Sequence, residues 1–480
     1  MRTQSKISFL LLFAALALFM VSCSKKGTTP DGPTVSTDNQ LRDFSFNKAN
    51  NPTLTESCFG TFNYSNAYYI TVPEDVDLGE LVPTFTVDPK ATVKINGATV
   101  TSNTSKVNFT NTVTIEVTSE SGSTRTYMIL AKNGNTKIDK EIYSFMLKHD
   151  IPGVSIALSK DEEIVYQGAY GFANTQKKER VTSNHMFRLA SMSKQHTAIA
   201  IMTLMEQGKL KLSDTVFGKD GLLYTAFGDN MSTLWKAITV EQLLSHTSGI
   251  MTEGFFGAGS AFSGKNQNER IATLLSQGTV VTPGSVYDYN NSNFAILGKI
   301  VEDLSGKPFM DFLKEEVYGP IGITGIDAAK NDDPIKGEVT HYSQNSVNPY
   351  DNNVEAGLAA GGVVASAPAL MQLMAHIDYG TKVKDILSKE TLDIMYEPIH
   401  NVDTDGDAFS KYALGWRVNY PNYPDWTFFH GGTLAGVCPI WARSHDNVNG
   451  VILCNSRSYD KSIDSDMWHM LEDLQDMFRK

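Results

Sequence analysis

A serine hydroxyl is a poor nucleophile until a neighbouring group takes its proton, and a lysine does this when its surroundings let it be neutral or share a proton. Ser191-Met192-Ser193-Lys194 supplies both groups three residues apart, a spacing that places them on one side of a helix. The backbone N–H groups and the positive dipole end at a helix N-terminus also favour a developing oxyanion. Spacing alone selects nothing, because Ser22 and Lys25, Ser45 and Lys48, and Ser458 and Lys461 repeat it. Position does the selecting. Ser191 opens a long amphipathic helical run, 191–207, with Ala198, Ile201, Met202 and Met205 on its buried side and Gly208 placed to end it. The bland alternative is an N-cap serine beside a lysine on a solvated face.

Such a pair needs a further proton carrier toward the leaving group, and a tyrosine hydroxyl suits the task. Tyr-x-Asn begins at Tyr64, Tyr289, Tyr350 and Tyr420. Tyr289-Asn290-Asn291 stands between the turn Pro283-Gly284 and an expected helix over 293–304, where a side chain can be held firmly. The other three read as ordinary loops. A third element, His430-Gly431-Gly432-Thr433, reads as an edge strand whose glycines allow close approach to a substrate and whose backbone offers an N–H opposite Ser191. A histidine before glycines is by itself more often structural.

Taken in order, Ser191-x-x-Lys194, Tyr289-x-Asn291 and His430-x-Gly432 resemble the penicillin-recognising serine hydrolases related to class C β-lactamases. That group also includes DD-peptidases, D-aminopeptidases and carboxylesterases. Supporting stretches are Phe187-Arg188-Leu189-Ala190, Leu243-Leu244-Ser245-His246-Thr247-Ser248-Gly249 and Gly361-Gly362-Val363. The resemblance implies an acyl-enzyme mechanism in which Ser191 attacks and Lys194 and Tyr289 manage protons. It further implies that Asn291 holds the substrate amide, that His430 and Gly432 shape the binding strand, and that the N–H groups of Ser191 and Thr433 form the oxyanion hole. Which of Lys194 and Tyr289 is the acylation base stays open. The family's β-lactamases carry lysine at the place of His430, where it favours a carboxylate, and no Lys-Thr-Gly or Lys-Ser-Gly occurs in the chain. Small esters or D-amino-acid peptides, cell-wall peptides among them, are therefore expected ahead of penicillins. The alternatives are a β-lactamase and a catalytically weak or dead surface-binding lipoprotein. No cofactor or metal is implied: His-Glu-x-x-His and Cys-x-x-Cys are missing, and the EF-hand-like start at Asn401, Asp403 and Asp405 puts Tyr412 where a bidentate glutamate belongs.

The elements that must position these residues follow from texture. The chain has 480 residues, more than one core usually serves. Its net charge of -12, from 53 acidic and 41 basic residues, argues against nucleic acid as a partner. Arg2 and Lys6 precede an apolar run over 7–21 that ends in Ser22-Cys23, read as a lipoprotein signal with Cys23 lipidated. The expectation is an exported protein anchored to a membrane by lipid, on the periplasmic side or the cell surface. Residues 24–39 read as a flexible tether. Over 40–133, short β-branched and aromatic runs at 68–72, 107–109, 113–117 and 127–130 suggest an all-β sandwich of Ig-like texture. Asn133-Gly134-Asn135 reads as a hinge. Residues 136–480 read as the hydrolase domain, an α+β fold of β-lactamase/transpeptidase type: an antiparallel sheet flanked by helices, with a helical region inserted. Its expected strands are 154–158, 164–170, 412–418, 437–442 and 450–454, with helices over 138–147 and 463–478. Of four cysteines, Cys438 and Cys454 flank a turn and read as packed thiols rather than a disulfide.

Overall fold

The structure is a computed structural model and describes residues 35–63, 66–256, 259–401, 411–418, 426–459 and 462–479. Cys23, most of the tether and most of the 401–410 loop lie outside the described residues.

The N-terminal region is two facing sheets. One has six strands, in which Ala67–Val72 pairs in parallel with Thr124–Asn133 and the latter pairs antiparallel with Val113–Thr118. The other has three, centred on Asp43–Phe46. Side chains alternate along a strand, so Tyr68, Ile70 and Val72 meet Phe44, Phe46 and Phe109 in a core of their own. The strand expected at 107–109 is reduced to one bridge between Leu81 and Val107. Ala67 and Tyr69, on the opposite face, pack against the helix Thr136–Lys148, where Tyr69 stacks on Tyr143 at 5.2 Å. The expected hinge therefore gives way to a tied junction. Asn133 donates to the carbonyls of Pro73 (2.9 Å) and Val76 (2.7 Å), and Asn135 caps the helix that follows.

Beyond it, nine antiparallel strands form one sheet in the order Glu179–Arg180, Glu163–Asn174, Gly153–Lys160, Val448–Cys454, Cys438–Ser444, Trp426–Gly431, Arg417–Val418, Lys411–Tyr412 and His400–Asn401. Both faces are covered, and the alternation shows it. Val154, Ile156, Ile440 and Ile452 point to Thr136–Lys148 and the last helix, Ile463–Arg479. Ala157, Trp441, Val451 and Leu453 point to the helical region. Cys438 and Cys454 are register partners, buried and unbonded. The strand expected over 412–418 is broken in two, because Gly415 turns the chain at φ +88 beside the Ala198 methyl, where an added Cβ would lie 2.8 Å away.

The helix after the serine departs from expectation in a telling way. Ala190–Met192 is a single 3-10 turn, and the α-helix is Ser193–Glu206. Eleven of its fourteen residues are buried, on every face, so it is the central helix of the domain rather than an amphipathic one. Its apolar stretch starts at Ala198, while Ser193 to Thr197 are polar and buried with it.

Candidate active site

The approach to Ser191 is rigid. Arg188, buried, pairs with Glu338 at 3.1 Å and donates to the carbonyls of Pro349 (3.1 Å) and Lys330 (2.6 Å). Ala190 then takes φ +47, a conformation that costs a residue with a Cβ and persists where its surroundings enforce it. This turn presents Ser191 to a narrow cleft of about 50 Å³ lined also by Phe256, Asn291, Ala360, Gly361, Thr433 and Leu434.

One turn on, Lys194 is 0% exposed. Its Nζ donates to Asn291 Oδ1 (2.7 Å), to the Ala360 carbonyl (2.9 Å) and to Ser191 Oγ (3.2 Å). Burial lowers its pKa from 10.5 to about 7; the Glu253 carboxylate opposes that shift and the Arg417 guanidinium adds to it. A lysine in this state can accept a proton from Ser191 near neutral pH. Ser193 and Thr197 on the same helix bind the segment that supplies Ala360: Val363 N–H donates to Ser193 Oγ (3.0 Å), and Thr197 Oγ1 donates to the Ala359 carbonyl (2.6 Å).

Asn291 opens the helix Asn291–Ser305, two residues earlier than expected, with Asn290 as its cap. Its side-chain amide and backbone N–H both donate to Glu253 Oε2, at 2.9 and 3.1 Å. That carboxylate fixes the amide orientation and turns Oδ1 toward Lys194. Sequence reading missed Glu253. It follows Gly249 by four residues in a loop without periodicity, and nothing in its spacing marks it.

Tyr289 keeps part of its ring accessible while its hydroxyl is buried beside Ser191. Burial pushes its phenol up, and the Ser191 hydroxyl acts in the opposite direction. Lys194 Nζ lies 4.8 Å from the ring centroid. Behind it stands His246, whose ring is 4.3 Å from that of Tyr289. His246 adopts φ +58, and its Nδ1 accepts from the Asn290 N–H at 3.2 Å. With that nitrogen an acceptor, the ring is neutral, as its burial favours. The Ser245-His246-Thr247 stretch was recognisable in sequence; its task, backing Tyr289, was not.

His430 does not reach the cleft. It is 2% exposed, its Nδ1 sits 2.6 Å from the Gly431 carbonyl, and its Nε2 sits 3.2 Å from Tyr412 Oη. A carbonyl only accepts, so the network puts the proton on Nδ1 and leaves Nε2 to accept from Tyr412. Burial, with Arg417 and Lys194 nearby, holds His430 well below its usual value and hence uncharged. Gly432 brings the strand end against the serine turn: an added Cβ would lie 2.4 Å from the Leu189 carbonyl. Thr433 follows on the open side of the cleft. Ser191 and Thr433, whose backbone N–H groups the sequence singles out, both line the cleft. No group of three or more His, Cys, Asp or Glu is placed to hold a metal among the described residues.

The model of the family described as Beta-lactamase matches residues 138–475, well over half of the chain. The chain belongs to the beta-lactamase family. It has the α+β fold expected of that family. A second model, SGBP, N-terminal, matches residues 59–130. The chain is similar to Protein flp of Staphylococcus aureus (strain N315), 24% identical over 337 residues, 68% of this chain and 64% of that protein. Its fold is similar to that of the octameric penicillin-binding protein homologue from Pyrococcus abyssi, with TM-score 0.59 and 24% identity over 72% of this chain and 77% of that one. It is also similar to D-amino acid amidase from Ochrobactrum anthropi SV3 complexed with D-phenylalanine, with TM-score 0.58 and 20% identity over 71% and 99%. In this beta-lactamase family member the three sequence elements converge on one cleft, and His430 is the expected binding residue that lies behind it.

Proposed function

We propose that the chain hydrolyses small esters or amides, D-amino-acid amides and short cell-wall peptides among them, through an acyl-enzyme on Ser191. The carrying observation is the buried Lys194, with Nζ 3.2 Å from Ser191 Oγ and its pKa drawn down to about 7. Lys194 takes the serine proton as Oγ attacks the carbonyl carbon. The oxyanion settles on the N–H groups of Ser191 and Thr433. Tyr289, beside both groups, passes a proton to the leaving group, and water then releases the acyl chain by the reverse route. Glu253 takes one of the two N–H groups of the Asn291 amide and Lys194 donates to its oxygen, so Asn291 orients Lys194 and keeps one N–H for the substrate.

The uncharged, inward-turned His430 supports substrates without a carboxylate at that end over penicillins, and Phe256 across the narrow cleft supports a small acyl group. Purified protein should turn over short nitrophenyl esters or D-phenylalanine amide at least ten times faster than a cephalosporin. Faster cephalosporin hydrolysis would make it a β-lactamase, and no turnover of any of these would favour a catalytically dead binding protein. We further propose export with a lipid anchor at Cys23, supported by the apolar run before it. No helix among the described residues is long and apolar enough to cross a membrane. Cys23→Ser should release the protein from the membrane fraction. The two facing sheets at the N-terminus support the Ig-like reading of that module.

A further inference from the structure

Where the N-terminal sheets meet the hydrolase domain there is a cavity of about 250 Å³, lined by residues of both, including Tyr69, Lys132, Tyr143, Tyr170, Arg180 and Thr182. Its size falls just below the roughly 300–1,000 Å³ of sites for drug-sized ligands. Its charge is unbalanced. Lys132 Nζ binds Asp139 at 2.9 Å and lies 3.7 Å over the Tyr170 ring. Asp139, 1% exposed, meets that lysine and the Tyr170 hydroxyl through Oδ1, while its Oδ2 is buried with no hydrogen-bond partner among the described residues. Arg180 donates to the Ala131 carbonyl at 3.3 Å and has no carboxylate partner among the described residues. Two half-buried cations thus face one buried carboxylate. A charge left this way out of water is costly unless something pairs with it.

We propose that this junction is a binding site for a small organic carboxylate, held between Lys132 and Arg180 with its carbon skeleton against the tyrosine rings. Donors remain for it. A guanidinium carries five N–H groups and an ammonium three, and one from each is used by the contacts above. The surplus of one positive charge matches a monoanion, whereas a phosphate dianion would overshoot it. The ring-lined wall suits a compact cyclic body. Because Lys132 comes from the sandwich and Arg180 from the hydrolase domain, the ligand would also clamp the two together.

Calorimetry on the full chain at constant ionic strength tests this with benzoate and glucuronate, their neutral counterparts benzamide and glucose, and inorganic phosphate. At least one carboxylate should bind saturably, tenfold or more tighter than its neutral counterpart and tighter than phosphate. Lys132→Gln and Arg180→Gln should each weaken it at least tenfold, Arg180→Lys should restore part of it, and blocking Ser191 with a phosphonate should change nothing. Circular dichroism and nitrophenyl ester turnover check that the variants are folded. The proposal is overturned if neither carboxylate binds, if phosphate or the neutral molecules bind as well, if folded variants bind like the parent, or if blocking Ser191 abolishes binding.

Discussion

Lys194 is pulled in two directions, down by burial and up by the Glu253 carboxylate, and the balance near 7 sets the protonation of the site at neutral pH. If Lys194 is the base, kcat/KM needs it neutral, so activity rises with pH along a limb centred near that value. Glu253→Gln removes the negative charge that raises the lysine, and the limb should move to lower pH. A pH–rate profile with a nitrophenyl ester measures both. If the Tyr289 phenolate were the base instead, burial of that phenol would place the limb far to the alkaline side. Groups that act as one unit lose function together. Ser191→Ala, Lys194→Ala and the double variant should therefore each lose on the order of a thousand-fold in kcat, with the double no worse than the more severe single. Losses that multiply in the double variant would mean that the two residues do not work as a pair.

At the level of elements, legibility followed periodicity and punctuation. Tyr289 and Gly432 could be singled out because each sits where a turn meets a regular element, which glycine or proline marks in a sequence, and Ser191 because it opens a long helical run. The terminal helices and the paired strands were visible for the same reason. What periodicity does not encode was missed. The Lys194 helix is buried by packing from all sides, and nothing local to it says so. Glu253 and His246 act through contacts with residues about forty positions away. The turned-in His430 depends on Tyr412, and nothing in the local sequence of either residue marks that contact. Gly432 gives the test at this scale. Its Cα approaches the Leu189 carbonyl so closely that Gly432→Ala must push the strand end, and with it the Thr433 N–H, away from the serine turn. A misplacement of this size costs on the order of a hundred-fold. Steady-state kinetics should show the loss in kcat with KM little changed, and thermal melting should show a folded protein.

The whole molecule holds together across a junction that sequence texture presented as a hinge. Tyr143 on the first helix of the hydrolase domain is buried between Tyr69, which stacks on it, and Tyr170, and Ala67 and Leu130 belong to the same apolar cluster as Ile142 and Phe172. Asp139 on that helix is buried, and Lys132 from the sandwich is its ion-pair partner. A chain beginning at Thr136 would keep every residue around Ser191 and lose both supports at once. It would expose an aromatic surface to water and leave Asp139 with the Tyr170 hydroxyl alone. Breaking a buried ion pair by removing one partner costs roughly 3–5 kcal/mol, and the lost apolar contact adds to that at about 25 cal/mol per Å². The truncated protein should therefore melt several degrees below the full chain and aggregate more readily, while any folded fraction keeps its ester turnover per active site. Active-site titration with a fluorescent phosphonate separates those two effects. Restoring solubility by Asp139→Asn together with Tyr143→Gln in the truncated chain should recover part of the lost melting temperature. If truncation leaves the melting temperature unchanged, the sandwich is a passenger and the junction contributes nothing to the fold.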